Sequence, residues 1–452
     1  MKRKTIYKIL IALVIVIIAG GIYVYDTYQA MGLQAVYVDE TATVAAPEAG
    51  TGLHAVAQGT SDWLNWRGPD FHGKSSMTGL KTDWSTGLTK LWEVDYLCSG
   101  RESMTWAAPV VVGNHLVIPG RSATHDQLFC LDAASGELLW KSEIACEPGD
   151  SWGTGPRATP TIKDSLVYSY GRSGILACWM LEDGNLVWKK DVMEEGGITP
   201  EWGHTSPPLV LGNKVIVQAG GEARLIAYDR FTGDVLWKTP GGEAGYAATI
   251  PTEVDGQVIL LNFHGTGLAA VRYNDGAELW SAPWETSYFV NCNTPIVRND
   301  SVFITSGYNM GGQLLRFSPS QYEVIWENKV ISSHLSDQIL LGDYLYGYTQ
   351  NAGNRGPFAC VEFATGEEIW STKDIGGGSI VWVDDHLIAL GVNGDLYLVR
   401  PDEKEFILKG KLEDALPDAS KSVWTPPVVS NGKLYLRYLH KLVCYDISKK
   451  VR

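Results

Sequence analysis

The chain has 452 residues, 45% of them hydrophobic, and a formal net charge of −14. That length fits two or three ordinary domains or one closed repeat array. The acidic balance excludes a phosphate-backbone reader, which needs a basic footprint, so no nucleic-acid partner is expected.

The first element is a membrane signal. Lys2, Arg3, Lys4 and Lys8 flank an unbroken apolar run at residues 9–18, and apolar character continues to Tyr25. About 20 such residues can span a bilayer, with the positive end cytoplasmic. The reading is one N-terminal transmembrane helix, residues 1–25, as an uncleaved anchor. The rival is a cleaved signal segment. It would have a shorter apolar core and an A-x-A-like site, for which Ala19-Gly20-Gly21 is a poor match. Residues 26–60 are small and polar and read as a flexible tether. Residues 61–452 then form the folded body, in the periplasm or outside the cell.

A tryptophan recurs through that body at Trp92, Trp140, Trp188, Trp237, Trp280, Trp326 and Trp370, with gaps of 48, 48, 49, 43, 46 and 44 residues. The words around it repeat as well: Asp132-Ala-Ala-Ser-Gly136-Glu-Leu-Leu-Trp140, Asp229-Arg-Phe-Thr-Gly233-Asp-Val-Leu-Trp237 and Thr365-Gly366-Glu-Glu-Ile-Trp370. A fixed period of this size marks a repeat architecture. Each unit opens on a short β-type run, usually led by proline, then a Gly-Asn or Asn-Gly hairpin signal, a third run, the Asp/Thr/Gly turn and a fourth run ending in Trp. Four short strands per unit make one propeller blade. First strands start near Pro109, Pro160, Pro208, Pro251, Pro295, Gln338, Ile380 and Pro427. The eighth unit lacks its fourth strand, and Leu88-Thr-Lys-Leu-Trp92-Glu-Val supplies one at the other end. The expected fold is all-β: an eight-bladed β-propeller of four-stranded blades, monomeric, closed by its N-terminal strand so that no open edge is left to aggregate. Two units are degenerate, with Tyr322 at the turn-glycine position and Leu408 at the tryptophan position.

The seven cysteines are an odd number with no C-x-x-C. Cys130, Cys178, Cys360 and Cys444 share one repeat position and read as buried free thiols, not metal ligands. Cys98 and Cys146 each follow a repeat tryptophan by six residues; a disulfide between adjacent blades is one option there in an oxidising compartment.

The Ala/Cys-x-Asp-x-x-Thr/Ser-Gly-x-x-x-Trp unit resembles the pyrroloquinoline-quinone (PQQ) repeat, the tryptophan-docked blade of quinoprotein alcohol dehydrogenases and of the outer-membrane assembly lipoprotein propeller. The resemblance covers about residues 62–448. Trp63-Leu-Asn-Trp66-Arg67-Gly-Pro69 also looks like the opening of many bacterial PQQ-like repeat proteins. It implies the fold strongly and the function weakly, because enzymes and non-enzymes share the blade.

The loops leading into the first strands should line one mouth of the central channel, and they differ from one another as binding loops do. Three residues before the strand starts stand Trp106, Arg157, Thr205, Cys292, Leu335 and Trp424; four before stand His204, Asn291 and His334. Glu102, Asp150, Trp152, Glu201, Trp202, Tyr246 and Tyr288 are near. Aromatics beside a few polar groups suit a planar ligand, a glycan or a protein hot spot, or they plug the channel. The candidate binding residues are Trp106, Arg157, Trp202, His204, Tyr246, Asn291, Asn293, His334 and Trp424. No metal site is expected, since His204 and His334 belong to distant blades.

A quinoprotein dehydrogenase implies an adjacent Cys-Cys pair, a calcium held by Glu, Asn and Asp, and an Asp base. No Cys-Cys or C-x-x-C-H occurs here, although Glu102, Asp150, Glu201 and Asn293 offer oxygens. The expectation is a membrane-anchored, non-catalytic scaffold without a cofactor that binds a protein or cell-envelope component. The alternative is a PQQ- and calcium-dependent alcohol or sugar dehydrogenase with a reduced site.

Overall fold

A computed structural model describes residues 61–100, 103–147, 149, 152–349, 356–419 and 423–449. The expected anchor and tether lie outside the described residues, as do Glu102 and Asp150. No helix among the described residues is long and apolar enough to cross a membrane.

The described strands form eight sheets. Blade one runs Val110–Val112, His115–Arg121, His125–Asp132 and Leu138–Ala145, each strand pairing antiparallel with the next. The first strands of the other blades are Thr161–Lys163, Leu209–Leu211, Ile250–Val254, Ile296–Arg298, Ile339–Leu341, Gly378–Val383 and Val428–Ser430. Each begins within two residues of the position read from the sequence. First strands touch their neighbours in blades one to three and in blades six to eight, which places them around the axis. The eighth blade is completed by Thr89–Val94, which pairs antiparallel with Lys441–Asp446 and sets Trp92 opposite Cys444. The ring therefore closes as expected.

The repeat tryptophans hold the blades together. Trp92, Trp140, Trp188, Trp237, Trp280, Trp326 and Trp370 donate their indole N–H to the backbone oxygens of Ala133, Leu181, Arg230, Tyr273, Ser318, Phe363 and Asp402 in the following blade, at 2.8–3.3 Å. The rings of Trp92, Trp140, Trp188, Trp237 and Trp326 lie on that blade's turn glycine. Gly184, at φ 72°, has no room for a Cβ, which would stand 2.5 Å from Trp140. This contact and the positive φ explain why glycine recurs four residues before Trp140, Trp188, Trp237, Trp280 and Trp370. The degenerate units are compensated. The Tyr322 ring packs on Trp280 at 5.1 Å in the glycine's place. Behind Leu408, Trp84 from the N-terminal segment is buried against Gly410.

Cys130, Cys178, Cys360 and Cys444 are free and buried directly across the strand pair from an indole, as expected. The optional disulfide does not form: Cys98 and Cys146 are both free. The Cys98 thiol faces the Leu439 oxygen and the Cys146 thiol the Ser173 hydroxyl.

The sequence assigned no place to the segment before the closing strand, and it fills the channel. Ser61 donates its N–H to the Asn431 side chain at 2.8 Å. Trp63 exchanges two 2.8 Å backbone bonds with Val111, and the Leu64 oxygen accepts from Ile162 at 2.8 Å. Trp66 donates its indole N–H to Thr294 at 2.9 Å. Arg67 pairs with Asp337 at 2.9 Å and donates to the Gln338 oxygen at 2.7 Å. Lys74–Ser75 then adds a parallel strand to blade seven, and the Ser75 hydroxyl donates to the Val429 oxygen. One short stretch thus bonds blades eight, one, two, five, six and seven.

Candidate functional site

With the channel filled from the hairpin end, its other end is a funnel. The loops leading into the first strands converge there on a cavity of about 550 Å³. Trp106, Arg157, Thr205, Cys292, Leu335 and Trp424 all line it, so the position three residues before the strand start faces the axis in these six blades. Ala248 occupies the same register in blade four.

Trp66, delivered by the channel-filling segment, forms the floor beside Asp337 and Asn293. Asp337 is committed: it accepts the Thr294 N–H at 2.6 Å and pairs with Arg67. Asn293 is 3% exposed and donates to the Ser336 oxygen at 2.7 Å, while its Oδ1 has no partner.

Indoles crowd one wall. The rings of Trp106 and Trp424 lie 4.3 Å apart, and Trp152 is 6.1 Å from Trp424. Trp106 is fixed by its N–H donated to the Trp152 oxygen at 3.0 Å. Arg157 donates to the backbone oxygens of Trp202 and Gly153. Opposite, Tyr308 lies 6.0 Å from Tyr288 and edge-on to His334 at 5.1 Å.

Three groups of the lining are held toward their neutral forms. Burial depresses His334 to about 4 and pushes the Cys292 thiol up to about 12. Burial also raises Tyr246, against the Trp202 N–H that its hydroxyl accepts. A thiol that stays protonated and an imidazole of such low basicity are poorly poised for acid–base work near neutral pH. The arrangement stacks and hydrogen-bonds.

Two candidates fall elsewhere. His204 is 2% exposed, its Nδ1 beside the Gln218 oxygen at 3.2 Å and its ring 5.0 Å from Tyr170; burial holds it at about 4. Asn291 is fully buried, with its amide donating to the oxygens of His264 and Trp284 and its oxygen accepting from Ser306. Neither lines the cavity; both side chains are buried in the wall. His334 shares their register and does reach the cavity. Trp202, Tyr246 and Asn293 also line it.

The family described as outer membrane protein assembly factor BamB matches residues 124–372. The chain belongs to this family. The BamB of Shewanella oneidensis is 24% identical over 356 residues, covering 67% of this chain and 86% of its own. The Yersinia pestis BamB is 23% identical over 388 residues, covering 85% and 81%. Among solved structures, BamB from Moraxella catarrhalis covers 81% of this chain and 99% of its own, with a TM-score of 0.55 at 16% identity. Quinohemoprotein alcohol dehydrogenase from Comamonas testosteroni covers 87% and 81%, with a TM-score of 0.60 at 11% identity. Those two likenesses show the fold.

In this BamB-family chain the described donors do not fit a calcium–quinone pair. No three His, Cys, Asp or Glu side chains among the described residues gather as metal ligands. Asp337 already neutralises Arg67, and Cys292 stands without an adjacent cysteine. The functional reading of the sequence missed Trp66, Tyr308 and Asp337. For Trp66 the signal was present in the opening motif; for the other two nothing in the repeat marked them.

Proposed function

We propose that this chain is an envelope-associated, non-catalytic propeller, anchored through residues 1–25, that binds a protein or envelope component at the aromatic funnel. One observation carries the reading. The N-terminal segment closes the channel beneath Trp66, and what remains is a cavity walled by indoles and phenols whose buried thiol and imidazole are both neutral. Such a surface suits recognition. The relatives named as assembly factors support the envelope setting.

The test is a photo-crosslinking amino acid placed at Trp152 on the funnel rim or at Leu236 on an outer strand, in intact cells. A discrete adduct from the rim position supports the reading. Adducts from Leu236 alone overturn it, as does dye reduction by the purified protein after addition of PQQ and calcium.

A further inference from the structure

We infer that the component held in the funnel is a neutral saccharide, such as the end of a glycan chain. This deepens the reading above and rests on it. The first argument is shape. Trp106, Trp152, Trp202 and Trp424 give the cavity flat walls. A sugar ring offers a flat C–H face for an indole and keeps its hydroxyls at the rim.

The second argument is charge. Arg157 and Glu201 are of opposite sign, and Asp337 is neutralised by Arg67. The charges at the cavity therefore sum to zero, and the lining favours neither an anion nor a cation over a neutral ligand.

The third argument is hydrogen bonding. The phenols of Tyr288 and Tyr308 and the Glu201 carboxylate line the cavity and offer partners for sugar hydroxyls toward the rim.

The test uses the purified protein with neutral glucan, chito-oligosaccharide and galactan trimers, followed by calorimetry and tryptophan fluorescence. At least one trimer should bind and shift the indole emission. Trp106→Ala should weaken that trimer by about ten-fold through lost stacking. Trp152→Ala, at a half-exposed site, should weaken binding with an unchanged melting midpoint, which keeps the test valid if a buried variant misfolds. Binding of no trimer overturns the inference. So does preference for a sulfated trimer or a Leu-rich tripeptide, or equal affinity in Trp106→Ala and Trp152→Ala. A rim photo-adduct with an envelope protein, in the absence of trimer binding, sinks the saccharide and leaves the scaffold reading standing.

Discussion

Trp188 reaches across a blade interface, donating its N–H to the Arg230 oxygen at 3.0 Å with its ring over Gly233. Trp188→Ala removes the packed ring and the hydrogen bond together and should cost about 3–5 kcal/mol. Trp237→Ala should do the same, and Trp188→Phe, which keeps most of the apolar contact, should lose only about 1–2 kcal/mol. Urea titrations of the three variants check the order. The buried imidazoles set a pH dependence. Burial lowers His204 to about 4, with Arg172 adding repulsion and the Gln218 oxygen opposing it, and lowers His264 to about 3 beside Arg224. The unfolded chain takes up protons near 6.5, before the folded one does, so stability falls as pH drops from about 6.5 toward 4 and the loss levels off below. Each histidine should contribute about 1–2 kcal/mol of that loss by pH 5. Thermal melts between pH 7 and pH 5 should show a smaller decline in His204→Gln.

At the scale of the element, the channel-filling segment depends on Arg67. Its guanidinium bonds Asp337 and the oxygens of Phe71, His72 and Gln338. Arg67→Ala leaves the Asp337 carboxylate, 11% exposed, without its counter-charge, and should destabilise by about 3–5 kcal/mol. Adding Asp337→Ala should restore part of the loss, because the two changes are coupled. A double-mutant cycle in urea measures it, and simple additivity would mean that the pair does not hold the segment. This element was the least legible in the sequence. The blades announce themselves because each must present glycine, turn and indole at one spacing, and that spacing also placed the first strands and the funnel register. The segment from Ser61 to Ser75 has no period. Its partners lie on six blades, so only closure of the ring brings them together. His204 and Asn291 lie in the wall while His334, in the same register, reaches the cavity, and nothing in the sequence separates the three.

The described propeller is a ring whose last interface is made by its N-terminal strand. Thr89–Val94 is the outer strand of blade eight, and Trp92 bonds the Ala133 oxygen of blade one. Two truncations separate closure from channel filling. Removing residues 62–80 takes away the Trp63, Trp66 and Arg67 contacts but leaves the closing strand and Trp84. The product should be monomeric, with a lowered melting midpoint and no funnel floor. Removing residues 62–95 also strips the outer strand from blade eight and the indole from its interface with blade one. Lys441–Asp446 then becomes an exposed edge with unmet backbone groups, a template for pairing with another chain, and Cys444 loses the ring that covers it. This second product should elute as oligomers or precipitate, where the first does not. Size-exclusion chromatography with light scattering distinguishes them. A monomeric 62–95 deletion that melts with the 62–80 deletion would show that blade eight is stable with three strands and that the ring does not depend on its N-terminal strand.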